Sequence, residues 1–344
     1  MKGLVKYASG EGNMELREVP EPQAGADQVK IEVKAAGICG SDLHIYRDDI
    51  AIPVRPPVIV GHEFSGVVTE VGEGVQKCKP GDRVTSETAY SFCGECTYCI
   101  HGCHNLCPEK RIIGYWYDGA FAKYTVVPAK RVRALPDSVD FVAGAFTEPL
   151  ACVTHAALEL THITVGDVVL VSGPGSIGLA ALQVALSQGA RVIVSGTAAD
   201  TQRLETAEQL GAARTVNISN ENLATVVDDF TQGRGIDVVL ECAGVAAATE
   251  SGLKVIRRQG QFTQIGLFGR PVTLDFETIC FKELRVTGSF GSRWDSWRTA
   301  LDLLSSGKVK AKALVSHQIP LADWQRAFEM FEKKEGLKLV LIPE

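Results

Sequence analysis

A chain of 344 residues with 45% hydrophobic and 22% charged side chains can bury a large core, and at roughly 150 residues per domain it divides into about two domains. Lys+Arg 35 against Asp+Glu 41 leaves a net charge of −6 with no basic block, which argues against a nucleic-acid partner. No run approaches the roughly 18 apolar residues of a membrane span, and Met1–Gly12 (MKGLVKYASGEG) lacks the apolar core of a signal peptide, so a cytoplasmic protein is expected.

From Leu4 to about Pro136, short β-like runs broken by Gly and Pro predict an irregular β-rich domain: Val29–Val33, Phe64–Val71, Asp82–Val84 and Ala122–Val127. Two metal-ligand patterns lie in this stretch. In the first, Cys39 within GICGSDLH (Gly37–His44) and His62-Glu63 after Gly61 stand beside glycines that permit tight turns. Glu148, in EPL at the expected domain boundary, adds a second carboxylate. One thiolate, one imidazole and two carboxylates suit zinc with an exchangeable position. Neighbours on a strand face opposite ways, so His62 and Glu63 both bind directly only if Gly61 breaks the extended geometry. Otherwise one carboxylate acts from behind the ligands or through water.

The second pattern is Cys93, Cys96, Cys99 and Cys107 in C-x2-C-x2-C-x7-C order. Four soft thiolates at short spacing predict a closed, structural zinc site in a reducing compartment, not a disulfide framework. Cys103 reads as a free thiol beside it, and His101 and His104 are not needed as ligands.

From about Val165 apolar strands alternate with helices, the pattern of an α/β fold with a parallel sheet covered on both faces. The strands are Val168–Ser172, Val192–Ser195, Val238–Leu240, Phe262–Ile265 and Val286–Phe290, and the helices include Ile177–Gln188 and Gln202–Leu210. The first strand runs into Gly173-Pro174-Gly175-Ser176-Ile177-Gly178 and then an apolar helix, the order that seats a pyrophosphate. Gly173 makes the turn, Gly175 admits the phosphates, Gly178 lets the helix pack on the strand, and the helix beginning at Ser176 and Ile177 offers its positive end. The second strand ends in Ser195, followed by Gly196 and Thr197, without the usual acid. That favours NADP, with Ser195, Thr197 and Arg203 as partners of a 2′-phosphate, while Asp200 keeps NAD as the alternative. The nicotinamide is expected near Ala243, Ile265, Gly266, Ser289 and Phe290, at the ends of later strands. The spacing of Trp297, Leu301 and Leu304, followed by KLVLI (Lys338–Ile342), predicts a tail returning to the first domain. The expected domains are therefore 1–150 completed by 291–344, and 151–290.

Together, GICGSDLHIY (Gly37–Tyr46), GHEFSGVV (Gly61–Val68), PGDRV (Pro80–Val84), the cysteine lobe, EPLA (Glu148–Ala151), GPGSIG and the closing GLKLVLI resemble the medium-chain zinc-dependent alcohol dehydrogenases over nearly the whole chain. The closest branch is that of sorbitol and other polyol dehydrogenases. The resemblance implies a GroES-like catalytic domain, a Rossmann domain with a doubly wound parallel sheet, and a homo-dimer or homo-tetramer. It also implies two zinc ions per chain, a catalytic one at Cys39, His62, Glu63 and Glu148 and a structural one in the lobe. The implied reaction moves a hydride between a secondary alcohol of a small-molecule polyol and NAD(P)+. Ser41 and His44, i and i+3 on one helical turn, then form the expected proton relay through the cofactor ribose.

Threonine dehydrogenases tend to carry Thr at the place of Ser41 and Asp-Pro at that of Glu148-Pro149, which favours polyols. Gly291 stands where sorbitol dehydrogenases have Arg, with Arg293 two places on, and Ile45 replaces an aromatic residue, so sorbitol itself is not implied. The alternative substrates are a phosphorylated polyol, a cyclitol or a 3-hydroxy amino acid, with Arg293, Lys110 and Arg111 as the cations a phosphate would need. A reading of another class is a non-catalytic NAD(P)-responsive zinc protein, against which the intact ligands and relay residues argue.

Overall fold

The computed structural model describes residues 1–344 and divides into two compact units, Met1–Pro149 with Ala311–Glu344, and Leu150–Lys310. Residues 291–310, expected with the first domain, pack within the second.

The first unit is built on a seven-stranded sheet. Its path runs Val132–Ala134, Arg83–Ser86, Glu63–Val71, Gln28–Gly37, Lys338–Ile342 and Val315–Pro320, and Tyr124–Pro128 also pairs with Gln28–Gly37. Val29, Ile31 and Val33 alternate along Gln28–Gly37 and lie fully in the core, as a half-buried antiparallel strand requires. The tail does return: Val340 and Leu341 pair antiparallel with Gly37 and Ala36. This brings Lys338 to the end of the strand that leads to Cys39. The two-stranded ribbon Ala89–Ser91 and Arg111–Ile112 closes the base of the cysteine-bearing segment. A helix at Trp324–Glu332, not anticipated from the sequence, buries Trp324, Ala327 and Phe328 at i, i+3 and i+4.

The second unit holds six parallel strands in the order Arg214–Asn217, Arg191–Gly196, Val168–Ser172, Ile236–Glu241, Ile256–Gln264 and Arg285–Gly288. In chain order this is 3-2-1-4-5-6, the doubly wound arrangement whose ligand crevice opens between the first and fourth strands. Val168 to Val171 are fully buried, which explains a strand with no polar alternation. The fifth strand starts at Ile256, six residues before the expected Phe262, because Arg257, Arg258 and Gln259 hide its beginning from a hydrophobic reading. Arg214–Asn217 was missed for a similar reason, with only Thr215 and Val216 buried. No helix is long and apolar enough to cross a membrane.

Candidate metal centre and dinucleotide site

Cys39 follows the end of Gln28–Gly37 and caps the helix Gly40–Arg47. Gly61 adopts φ +93°, and Glu63 opens the strand Glu63–Val71. That left-handed turn interrupts the extended chain just before His62. As a result, donor atoms of Cys39, His62 and Glu63 all lie within 4.8 Å of one another. One thiolate, one imidazole and one carboxylate from two chain segments, with His62 and Glu63 buried, fit a divalent ion of the zinc type. Glu148, in the first turn of the helix Thr147–Thr154, is buried but lies outside this group of three.

Two charged residues that the sequence reading did not single out complete the centre. Asp42 is wholly buried; its Oδ2 accepts the Cys39 N–H at 2.8 Å, and its Oδ1 lies 3.6 Å from His62 Nδ1. A carboxylate in that place fixes the ring orientation of a metal-binding histidine. Burial opposes a proton on His62, yet Asp42, Tyr115 and Cys39 together outweigh it and hold the imidazole pKa well above its ordinary value in the metal-free site. Lys338 is the second. Its ammonium contacts the Glu63 carboxylate and donates to the Ile38 carbonyl at 2.8 Å. Burial works to lower its pKa, but Glu63 and then Cys39 reverse the effect and raise it. The lysine thus offsets one negative charge beside the centre, and Glu148 also acts on it. Both residues left a signal: Asp42 stands three residues after Cys39, where a capping carboxylate is common, and Lys338 is the one charge in KLVLI.

Ser41 Oγ is buried without a hydrogen-bond partner. His44 lies on the same helix, 48% exposed in its side chain, with Nδ1 2.8 Å from Asp49. No hydrogen bond joins Ser41 to His44 directly, so a relay between them needs an intervening oxygen.

In the lobe, the four sulfur atoms of Cys93, Cys96, Cys99 and Cys107 also lie within 4.8 Å of one another. Cys93 Sγ is 3.8 Å from Cys99 Sγ and 3.6 Å from Cys107 Sγ. A tetrahedron with Zn–S bonds of about 2.3 Å has edges of about 3.8 Å, so the cage has the right size. His101 bonds the Thr97 carbonyl at 2.7 Å and His104 stacks on Phe92, and neither joins the group. Cys103 is also outside it.

In the second unit, Gly173 adopts φ +92°, and a Cβ on it would meet the Ala243 Cα at 2.8 Å. The turns after the first and fourth strands therefore touch at the crevice. Gly175 precedes the helix Ser176–Ser187, and a Cβ there would enter open space over the helix N-terminus, the cradle a pyrophosphate needs. Gly178 packs against the Gly173 carbonyl with no room for a side chain, and Ile177 follows Ser176 in the first helical turn.

At the end of the second strand Ser195 and Gly196 are buried. Thr197 donates from its N–H and hydroxyl to Asp200 Oδ2 at 3.0 and 2.8 Å, and Arg203 lies 3.5 Å from Asp200 Oδ1. Asp200 thus restores a carboxylate near the strand end, and Thr197 and Arg203, expected to meet a 2′-phosphate, are engaged with it. Glu241, fully buried and not foreseen, accepts the N–H groups of Ala243 and Gly244 at 2.9 and 3.0 Å and bonds Gln264. Its carbonyl accepts Ile265 and Gly266 N–H, both at 2.9 Å, while Ser289 donates to the Gln264 carbonyl at 3.0 Å and Phe290 is 40% exposed. Of the cations a phosphate would need, Lys110 bonds the Asn105 carbonyl at 2.8 Å, Arg111 lies over Trp116, and Arg293 acts on Glu159.

Comparison with known proteins matches residues 25–137 to an alcohol dehydrogenase GroES-like domain and residues 176–306 to a zinc-binding dehydrogenase domain. A sorbitol dehydrogenase of Halalkalibacterium halodurans is 44% identical over 100% of this chain and 99% of its own length. A D-arabitol-phosphate dehydrogenase of Enterococcus avium is 40% identical over 99% of this chain and 97% of its own. Among solved structures, a zinc-binding dehydrogenase of Sinorhizobium meliloti bound to NADP superimposes with a TM-score of 0.90 at 34% identity, covering 99% of each chain.

Proposed function

The chain belongs to the medium-chain zinc-dependent alcohol dehydrogenases, in the branch of polyol and threonine dehydrogenases, and from that premise we propose that it oxidises a secondary hydroxyl of an unphosphorylated polyol with NAD(P)+. The observation that carries this reading is the convergence of Cys39, His62 and Glu63 beside the unpartnered hydroxyl of Ser41. Zinc, when bound, supplies the Lewis acidity that makes an alcohol hydroxyl acidic, and NAD(P)+ supplies the hydride acceptor. Cys39, His62 and Glu63 would hold the ion, with Glu148 as the second carboxylate in reserve. Asp42 orients His62, and Lys338 lightens the negative charge around Glu63, so the ion is not fully neutralised. Ser41 Oγ takes the substrate proton, and His44, at the exposed end of the same helix, stands where a relay would deliver it to solvent.

We assign two zinc ions per chain, the second to the lobe. Asp200 removes the premise for NADP, because its carboxylate disfavours a 2′-phosphate, so we read the second unit as an NAD site. The engagement of Lys110, Arg111 and Arg293 with protein groups supports an unphosphorylated substrate. All ten cysteines are free of disulfides, as thiolate ligands require, in keeping with a cytoplasmic setting. A homo-dimer or homo-tetramer is supported by the edge strand Arg285–Gly288, paired on one side only, and by the exposed side chains of Leu267, Phe276, Phe281 and Val286 around it in the chain.

The test is a spectrophotometric screen of sorbitol, arabitol, arabitol phosphate and L-threonine with NAD+ and NADP+, alongside elemental analysis. Free polyols reducing NAD+ in a protein with two zinc ions is the expected result. Faster reduction with the phosphate ester or threonine would replace the substrate, and inactivity of the two-zinc protein toward all of them would end the reading.

A further inference from the structure

The loop after Arg111–Ile112 carries a phenol into the metal centre. Gly114 (φ +79°) packs so closely on Gly61 that a Cβ there would meet the Gly61 carbonyl oxygen at 2.8 Å. Gly61 in turn aims His62. These two interlocked turns leave Tyr115 3% exposed with its ring edge-on to His62, centroids 5.6 Å apart, while the Arg55 N–H fixes its carbonyl at 2.8 Å. The Tyr115 hydroxyl lies beside Ser41 and feels the charges of Cys39 and Asp42.

A phenylalanine would pack against His62 as well, so the hydroxyl calls for an explanation of its own. Buried Tyr hydroxyls ordinarily end on a firm partner. Here the neighbour is Ser41 Oγ, itself buried and without a hydrogen bond of ordinary geometry. A buried hydroxyl left unpartnered beside a metal-ligand cluster is costly unless an occupant completes it. A substrate with two adjacent oxygens does so, one at the metal ligands and Ser41, the next at Tyr115. A simple alcohol has no second oxygen to offer the phenol.

We propose that Tyr115 is a specificity-determining residue that reads the second hydroxyl of a vicinal diol and so selects polyols over monohydric alcohols. This rests on the reading of the metal centre as an alcohol site. A site built to hydrogen-bond a hydroxyl rejects the analogue that lacks it, whereas a purely apolar pocket barely distinguishes the two.

The experiment compares kcat/KM for butane-2,3-diol and sorbitol with that for butan-2-ol, in the zinc-loaded enzyme and in Tyr115→Phe. The diol-to-monool ratio should fall roughly 10- to 100-fold in the variant, with zinc content unaltered. An unchanged ratio overturns the proposal. So does a parallel loss on all three substrates with zinc lost, which would make Tyr115 a prop for His62. Should the wild-type protein oxidise none of them, the functional reading falls, and Tyr115 is judged by binding alone. Sorbitol is then titrated into the cobalt-substituted protein and followed by the visible absorption of the ion. A tenfold or greater weakening in Tyr115→Phe sustains the proposal, and equal affinity in the two proteins, or no response in either, overturns it.

Discussion

The first unit contains two metal-ligand clusters that make opposite use of the chain. The lobe takes all four donors from residues 93–107, all are thiolates, and their spacing alone closes the cage. The centre at Cys39, His62 and Glu63 takes donors of three kinds from two segments and depends on Gly61 to turn two adjacent residues toward one point. Around the lobe the neighbours are aromatic and cationic, with Arg131 over Phe92 and tied to Glu87. Around the centre stand a buried carboxylate, a buried ammonium, the unpartnered Ser41 hydroxyl and the Tyr115 phenol beside it. A closed cage of like ligands suits a structural ion, whereas a mixed, incompletely filled set with tuned charge suits chemistry.

The strongest way to break this contrast is to remove one thiolate from each cluster. Cys39→Ser should lose the centre's zinc and lower turnover by roughly 10³-fold or more, while the lobe ion and the thermal transition persist. Cys107→Ser should do the reverse, losing the lobe ion and lowering the melting temperature while folded molecules still turn over. Elemental analysis, a melting curve and an activity assay on both variants decide it. Full activity of Cys39→Ser with one zinc per chain would make the division of roles wrong.

A smaller effect sharpens the picture at the centre. Asp42→Asn keeps an oxygen to accept the Cys39 N–H but removes the charge that orients His62. Loss of such a partner typically costs 10- to 100-fold in metal affinity or activity. Competition with a zinc chelator should show the centre's ion weakened in that range and the lobe's ion unmoved. Equal affinity for the centre in both proteins would reduce Asp42 to a helix cap.

The contrast also explains what could be read from the sequence. The lobe was legible because its donors are neighbours in the chain, and the glycine turn after Val168–Ser172 was legible because strand, turn and helix are contiguous. Cys39, His62 and Glu63 were legible only jointly, as donors of three kinds beside turn glycines, to which the resemblance that spans the chain added their roles. Asp42 and Lys338 escaped because a capping aspartate and a strand lysine are ordinary on their own; their meaning comes from Lys338–Ile342 pairing beside Gly37, a contact some 300 residues apart. Asp200 was weighed, but only the Thr197 turn shows where its carboxylate ends. The start of the fifth strand went unread because polar residues interrupt its apolar pattern, whereas the helix Trp324–Glu332 does carry an i, i+3, i+4 apolar spacing in Trp324, Ala327 and Phe328.

The mildest test asks whether the lobe's shape belongs to the chain or is imposed by the ion. Without metal, Cys93 is brought down to about 7 by the Cys96 N–H, aided by that of Glu95, whereas burial pushes Cys99 up to about 12. The thiolate is the reactive form, so alkylation should begin at Cys93. Its rate should rise with pH to half its maximum near pH 7, about 1.5 units below an ordinary cysteine, and Cys99 should stay inert through mildly alkaline solution. At neutral pH that makes Cys93 roughly tenfold more reactive than an unperturbed thiol, measurable by mass spectrometry of chelator-treated protein after brief exposure to iodoacetamide. If all four cysteines instead react together with a midpoint near 8.5, the 3.3 Å contact between the Cys96 N–H and Cys93 Sγ does not survive without metal. The lobe would then be shaped by its ion, and it would share with the centre a dependence on metal that local spacing alone does not remove.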